Sequence, residues 1–216
     1  MKKAHLIIIF ITGLSLAGFS QAIEISGYGG YMLSGTADFY GYQDITNTYV
    51  TGEMDVKDGA VYGGTIGLDV PDAGMQIQFL WNINNVNSNI VFFSNNRPRE
   101  VVELKIQHWH LGVEKYLGGN EMVKPYGAIS LGITTYGPQN SAYETKTRFS
   151  GAIGAGLKVF PTEKIGLKFQ AKMFLPMTFS GIGIYCGTGG CGGGSSFNVP
   201  IIHGEFSGGV ILRIDK

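Results

Sequence analysis

From Met75 to Asn84 the chain reads MQIQFLWNIN. Met75, Ile77, Phe79, Trp81 and Ile83 are apolar; Gln76, Gln78, Asn82 and Asn84 sit between them, and Leu80 is the one break. Successive side chains of an extended backbone point to opposite faces, so a period of two specifies a β-strand with one oily and one polar side. Two architectures accept such a strand. A water-soluble barrel packs the oily side at its centre. A membrane barrel turns it to lipid and fills its interior with the amides.

Alternation recurs along the chain and predicts eight strands: about Glu24–Phe39, Ala60–Val70, Met75–Asn84, Val101–Tyr116, Lys124–Tyr136, Thr147–Phe160, Ile165–Phe179 and Val199–Ile214. The fourth changes phase, from Val102, Leu104 and Ile106 to Trp109, Leu111 and Val113. A β-bulge near Gln107 or His108 would restore a single oily face. The first is glycine-rich and the weakest of the eight. No helix-period segment of useful length interrupts them, so the chain is expected to be all-β. The connections alternate between short turns (residues 71–74, 117–123 and 161–164) and long polar or glycine-rich loops (40–59, 85–100, 137–146 and 180–198).

The N-terminus reads MKKAHLIIIFITGLSLAGFSQA. Lys2 and Lys3 precede an apolar run from Leu6 to about Ala17, and Ser20-Gln21-Ala22 is a small-x-small cleavage site. Residues 1–22 are therefore expected to be a secretory signal peptide, with the barrel domain at 23–216. Of 16 basic residues, Lys2 and Lys3 fall in this peptide, leaving 14 against 16 acidic ones. That balance gives no footprint for nucleic acid. Cys186 and Cys191, in CGTGGC, read as a disulfide in an exported chain. Two cysteines with no histidine near them in sequence make a poor zinc site.

Three features decide between the two barrels. The strands span about 10–16 residues, enough for a tilted bilayer crossing, which takes roughly 9–11. Aromatic residues favour strand ends, with Tyr62 and Trp81 toward the long loops and Tyr116, Tyr126, Tyr136, Phe160 and Phe179 at other ends, in the manner of two interfacial girdles. The polar faces mix small residues with a few long polar ones, as a narrow eight-stranded interior demands. The expected fold is a closed antiparallel eight-stranded transmembrane β-barrel. Ile77, Phe79, Trp81, Leu131, Leu167, Phe169 and Leu212 are expected to face lipid. Glu24, Asp69, Glu114, Lys158, Lys168, Lys172, Glu205 and Arg213 are expected to face the lumen. An open edge in hydrocarbon would leave backbone groups unpaired, so the last strand must pair with the first.

The sequence resembles the small eight-stranded outer-membrane barrels of the OmpA/OmpX type. Near the C-terminus, Ser207, Gly209, Leu212 and Ile214 fit the polar-x-Gly-x-x-apolar-x-apolar signal read by the barrel assembly machinery. That family's terminal aromatic is replaced by Ile214-Asp215-Lys216, and no appended cell-wall-binding domain is expected. The resemblance implies export to the outer membrane, contact with its lipid and with the assembly machinery, and no cofactor. It also implies long loops facing outward, where an extracellular surface partner would bind.

Glu24, Asp69, Glu114, Lys158, Lys168 and Arg213 fall near one end of their strands. They are expected either to form a salt-bridge plug or to reach periplasmic water separately. His108 and His110 share a side of one strand, as His203 and Glu205 do of another; polar filling is the expectation, with no metal and no catalytic residue. An enzyme reading suffers from the lack of a serine in His203-Gly204-Glu205 and of any Gly-x-Ser-x-Gly elbow. The expected function is non-catalytic, structural or surface-interacting. A narrow OmpW-like channel for small or apolar solutes is the alternative, and a lipid-modifying enzyme is a more distant one.

Overall fold

The structure is a computed structural model and describes residues 22–43, 48–92, 100–139, 145–187, 190–199 and 201–214, with backbone alone at 37–43, 48–51, 71, 92, 100, 178–187 and 190–198. The expected signal peptide thus lies outside the described residues, except for Ala22. Eleven strands follow in chain order: β1 (Ile23–Leu33), β2 (Thr36–Gln43), β3 (Thr48–Val56), β4 (Gly59–Val70), β5 (Met75–Phe92), β6 (Glu100–Tyr116), β7 (Val123–Pro138), β8 (Lys146–Val159), β9 (Ile165–Gly187), β10 (Gly190–Asn198) and β11 (His203–Ile214).

Eight of them, β1, β4, β5, β6, β7, β8, β9 and β11, make a closed antiparallel barrel. Closure runs from Ile23↔Ile214 to Leu33↔Gly204, so no barrel edge is left open between β1 and β11. β3 and β10 lie where long loops were expected, and β2 straddles the end of the expected first strand and the start of the loop after it. β2 pairs with β3, β3 with the upper part of β5, and β10 with β9. The expected first strand ends earlier, at Leu33, and β5 runs on to Phe92.

A path of paired residues that leaves β4 at Asp69 passes Gln76, Glu114, Ala128, Gly154, Lys172, Glu205 and Met32, and returns to β4 at Gly59. This stagger tilts the strands, by about 35–45° in barrels of this kind. It also brings residues far apart in register to one height in the lumen.

Each barrel strand exposes large apolar side chains. Ile25, Ile66, Phe79, Leu111, Leu131, Ile153, Phe169 and Leu212, one per strand, are 43–62% exposed. Ile77 and Leu167 are also exposed, and Trp81 is half-buried on the same outer face. An apolar belt around a polar interior is the arrangement of a membrane-spanning barrel.

The expected bulge in β6 is absent. Pairing with β5 and β7 is continuous through Gln107 and His108, and one set of alternate residues faces inward throughout: Val102, Leu104, Ile106, His108, His110 and Glu114. What changes is the solvent. Along the lower part of β6 the outer neighbour is lipid, so Trp109 and Leu111 face out and histidines face in. Along the upper part Glu103 and Lys105 face out, and Val102, Leu104 and Ile106 pack inside with Val56, Val86, Ile90 and Ile201. The upper barrel follows the rule of a soluble protein, oil inside, because water bathes its wall.

The expected aromatic girdle is corrected in the same way. Tyr62 and Trp109 are exposed on the outer face, and Trp81 packs against Trp109 at 5.7 Å between ring centroids. Tyr126 and Phe160 are buried inside instead, and Tyr116 and Tyr136 turn inward to bond lumenal groups. The Phe179 side chain lies outside the described residues.

Candidate functional site in the barrel lumen

The lower lumen is filled by ions. Lys158, from β8, places Nζ 2.7 Å from Glu24 Oε2 on β1 and 2.7 Å from Glu114 Oε2 on β6. Lys168, from β9, lies 2.6 Å from the other oxygen of Glu114. Arg213, from β11, binds Glu24 Oε1 at 2.6 Å through Nη2 and stands 4.0 Å from Asp69 on β4. Gln76 donates to Glu24 at 2.8 Å and to Asp69 at 3.0 Å, while its own carbonyl accepts from Lys158 at 2.9 Å. Tyr116 donates to Asp69 at 2.8 Å. The strands bring these groups together through alternation and stagger. Every oxygen and ammonium of the cluster's centre has a partner of opposite sign, which makes burial of the charges tolerable.

The Tyr126 ring forms part of this floor. Lys158 and Lys168 stand over it, 5.5 Å and 5.3 Å from its centroid. Space for the ring comes from Gly156 on the adjoining strand, whose missing side chain would overlap it. Below, Arg213 lies 4.1 Å over the Phe160 ring.

Glu205 organises the middle of the lumen. Its Oε2 accepts from Asn82 at 2.6 Å, and its Oε1 from Ser207 at 2.6 Å and Gln170 at 3.1 Å. Lys172 points into the same layer, buried, and its Nζ has no hydrogen-bond partner among the described residues.

Above sits a histidine layer around Phe174. His108 stacks on the Phe174 ring at 4.1 Å, and His203, across the lumen, comes within 5.6 Å of His108. His108 Nδ1 pairs with Thr134 Oγ1 at 2.8 Å and His110 Nδ1 with Ser130 Oγ at 3.1 Å. His203 is held from both sides, by Ser34 at 3.0 Å and Tyr136 at 2.7 Å. Among the described residues no group of three His, Cys, Asp or Glu could hold a metal.

The eight charged residues expected in the lumen all face it. Six of them gather at the floor, and Lys172 and Glu205 lie above. Reading the sequence did not assign Tyr116 and Tyr126 to this cluster, although both fall in phase with lumenal neighbours: Tyr116 with Glu114, Tyr126 with Lys124 and Ala128. Cys186 and Cys191 stand directly opposite each other in the β9–β10 register. The disulfide expected between them falls on side chains outside those described.

No family model and no curated protein matches this sequence. Solved structures do resemble the fold. The outer membrane protein OprG from Pseudomonas aeruginosa superposes with a TM-score of 0.60 at 12% identity, covering 91% of this chain and 97% of that one. Neisserial surface protein A gives 0.54 at 10% identity, covering 91% and 98%. AlkL, solved in lipid bilayers, gives 0.52 at 12% identity, covering 93% of each chain. With the closed barrel, the outer apolar belt and the polar lumen, these likenesses establish that the chain has the fold of the small eight-stranded outer-membrane β-barrels.

Proposed function

We propose that this chain is a non-catalytic, non-conducting barrel of the outer membrane, exported on a cleaved signal peptide, whose work is done by its outward hairpins. The observation that carries the reading is the double bridge of Lys158 to Glu24 and Glu114, which spans the narrow lumen at its lower end. A solute path would have to break two buried ion pairs, and separating such partners costs several kcal/mol. The β2–β3 and β9–β10 hairpins extend the wall beyond the apolar belt, where an extracellular partner would meet them. A disulfide between Cys186 and Cys191 would pin the second hairpin. The test is conductance of the purified barrel in planar bilayers. No steady current is expected; a large, stable one overturns the reading.

A second reading, a narrow conduit for small or apolar solutes, draws on the apolar upper interior of Val56, Val86, Ile90, Val102, Leu104, Ile106 and Ile201. These side chains pack against one another, so an apolar solute entering from the outer side would have to displace them. Uptake of a labelled alkane into vesicles carrying the barrel, against empty vesicles, favours this reading over the first. The histidines offer little to an enzyme, since those nearest a hydroxyl are buried in the lumen away from lipid.

A further inference from the structure

We infer that the barrel mouth on the short-turn side is a binding site for the C-terminal carboxylate of a short peptide. This mouth opens to the periplasm in the outer-membrane placement proposed above, and the source of the ligand rests on that reading. Glu121, Met122, Lys124, Phe160, Glu163 and Arg213 are among the residues lining a cavity of about 530 Å³ there. Pockets for small molecules span about 300–1,000 Å³, so the space admits roughly two or three residues of chain. Its frame is tied together. Phe160 N–H donates to the Met122 carbonyl at 2.7 Å, joining the turn before β7 to the end of β8, and Arg213 N–H donates to the Lys164 carbonyl at 2.8 Å. Within the first turn, Asn120 Oδ1 accepts from the backbone N–H groups of Met122 and Val123, at 3.0 Å and 2.7 Å. The Phe160 ring is seated where Gly166 has no side chain, since a Cβ there would lie 2.7 Å from it.

The inward charges at this mouth do not cancel. Glu24, Asp69 and Glu114 are taken up by Lys158, Lys168 and Arg213. Lys124 is a further cation at the same end, and its register partner on β8 is Lys158, a like charge. Its ammonium lies against the rings of Tyr116 and Phe160, 5.5 Å and 5.6 Å from their centroids. It makes no ion pair among the described residues. Arg213 lies over the same Phe160 ring and bonds Glu24 through Nε and Nη2, which leaves Nη1 for a ligand. A carboxylate held by Lys124 and by Nη1 of Arg213 supplies the missing negative charge through charge-assisted hydrogen bonds. Glu121 and Glu163, exposed on the wall of the cavity, repel a second negative charge and so favour a carboxylate over a phosphate. The same two acids accept an ammonium. The complementary ligand therefore carries opposite charges at its two ends, as a short unblocked peptide does, and Met122 and Pro161 offer its side chains apolar contact.

The experiment titrates the full barrel in detergent micelles, by calorimetry, with the tripeptide Ala-Leu-Ala, its C-terminal amide, its N-acetyl form and inorganic phosphate. Wild type is expected to bind the free tripeptide at least about tenfold more tightly than the amide, the size of one lost charge-assisted hydrogen bond. Lys124→Gln is expected to weaken the free tripeptide about tenfold and leave the amide unchanged. Glu121→Gln combined with Glu163→Gln is expected to weaken the free tripeptide and spare the N-acetyl form. Lys57→Gln, which removes a lysine from the opposite end of the barrel, serves as the control. Equal binding of the free and amidated tripeptides by wild type overturns the inference, as does a Lys124→Gln variant that still discriminates between them. Phosphate that binds as tightly as the tripeptide overturns the choice of ligand. Failure of the outer-membrane reading looks different: the chain would not insert into vesicles or shift on an unboiled gel. A variant that retains the shift is folded, so its loss of binding reports on the mouth itself.

Discussion

Lys172 and Glu205 stand directly opposite each other on β9 and β11, yet they make no ion pair. Glu205 is saturated by Asn82, Ser207 and Gln170, three neutral groups. The ammonium of Lys172 is left in the lumen without a partner among the described residues. A buried charge so placed opposes folding. Replacing both members, Lys172→Met with Glu205→Gln, keeps the lumen neutral and should raise stability by roughly 1–4 kcal/mol. The measurement is the guanidinium midpoint, read from the fraction of heat-modifiable band; a lower midpoint refutes the prediction.

Lys158 is in the opposite position. Its loss strands two buried carboxylates, so Lys158→Met should destabilise the barrel by about 3–5 kcal/mol. Lys57 binds Asp55 at 2.5 Å on the surface, half-exposed, and Lys57→Ala should cost less than about 1 kcal/mol. Unfolding curves of the two variants, measured side by side, should differ widely. Similar shifts would mean that the floor is looser than its distances imply.

Gly156 yields its side-chain space to Tyr126. Gly156→Leu should therefore prevent the ring from seating and reduce the refolded fraction severely, since overpacking a filled interior forces strain. Adding Tyr126→Ala should recover only part of that fraction, because a side chain at 156 also meets the Phe169 backbone carbonyl. A double variant no better than the single would show that Gly156 matters for another reason.

The boundary between membrane and water on β6 can be located by fluorescence. In a background with Trp81→Phe and Trp109→Phe, a single tryptophan is placed by Leu111→Trp or by Glu103→Trp. Brominated lipid should quench the first strongly and the second weakly. Equal quenching would move the boundary and, with it, the explanation of the apolar upper interior.

Cys186 and Cys191 face each other in register, so a bond between them is expected in the mature chain. Denatured, unreduced protein should take up no maleimide and reduced protein two equivalents, counted by intact mass. Two equivalents without reduction would exclude the bond.

The trunk of this fold was legible because alternation is local. Gln76, Gln78 and Asn82 announce their direction within a few residues, and the lumenal charges follow from the same parity. The upper part was not legible for the same reason. Val102, Leu104 and Ile106 look like a face that has slipped by one residue, because sequence records polarity but not which solvent surrounds the strand. Only the pairing with β5 and β7 reveals that direction is constant and surroundings are not. Tyr116 and Tyr126 misled similarly: an aromatic near a strand end suits either a headgroup girdle or an internal ion cluster, and parity had to be weighed above position. The partners of Glu205 come from β5, β9 and β11, and no feature of any one segment foretells their meeting.

The reversal along β6 gives the two ends of the tube unlike vulnerabilities. Above the bilayer, cohesion comes from Val102, Leu104, Ile106 and their neighbours, held by the exclusion of water. Urea or cold erodes that kind of cohesion. Within the bilayer, loosened strands would expose their amides to oil, so the ring there resists the same treatment. Gentle denaturation should fray the molecule from its outer rim inward and leave a stump in the membrane, which surface proteases would trim to a defined length.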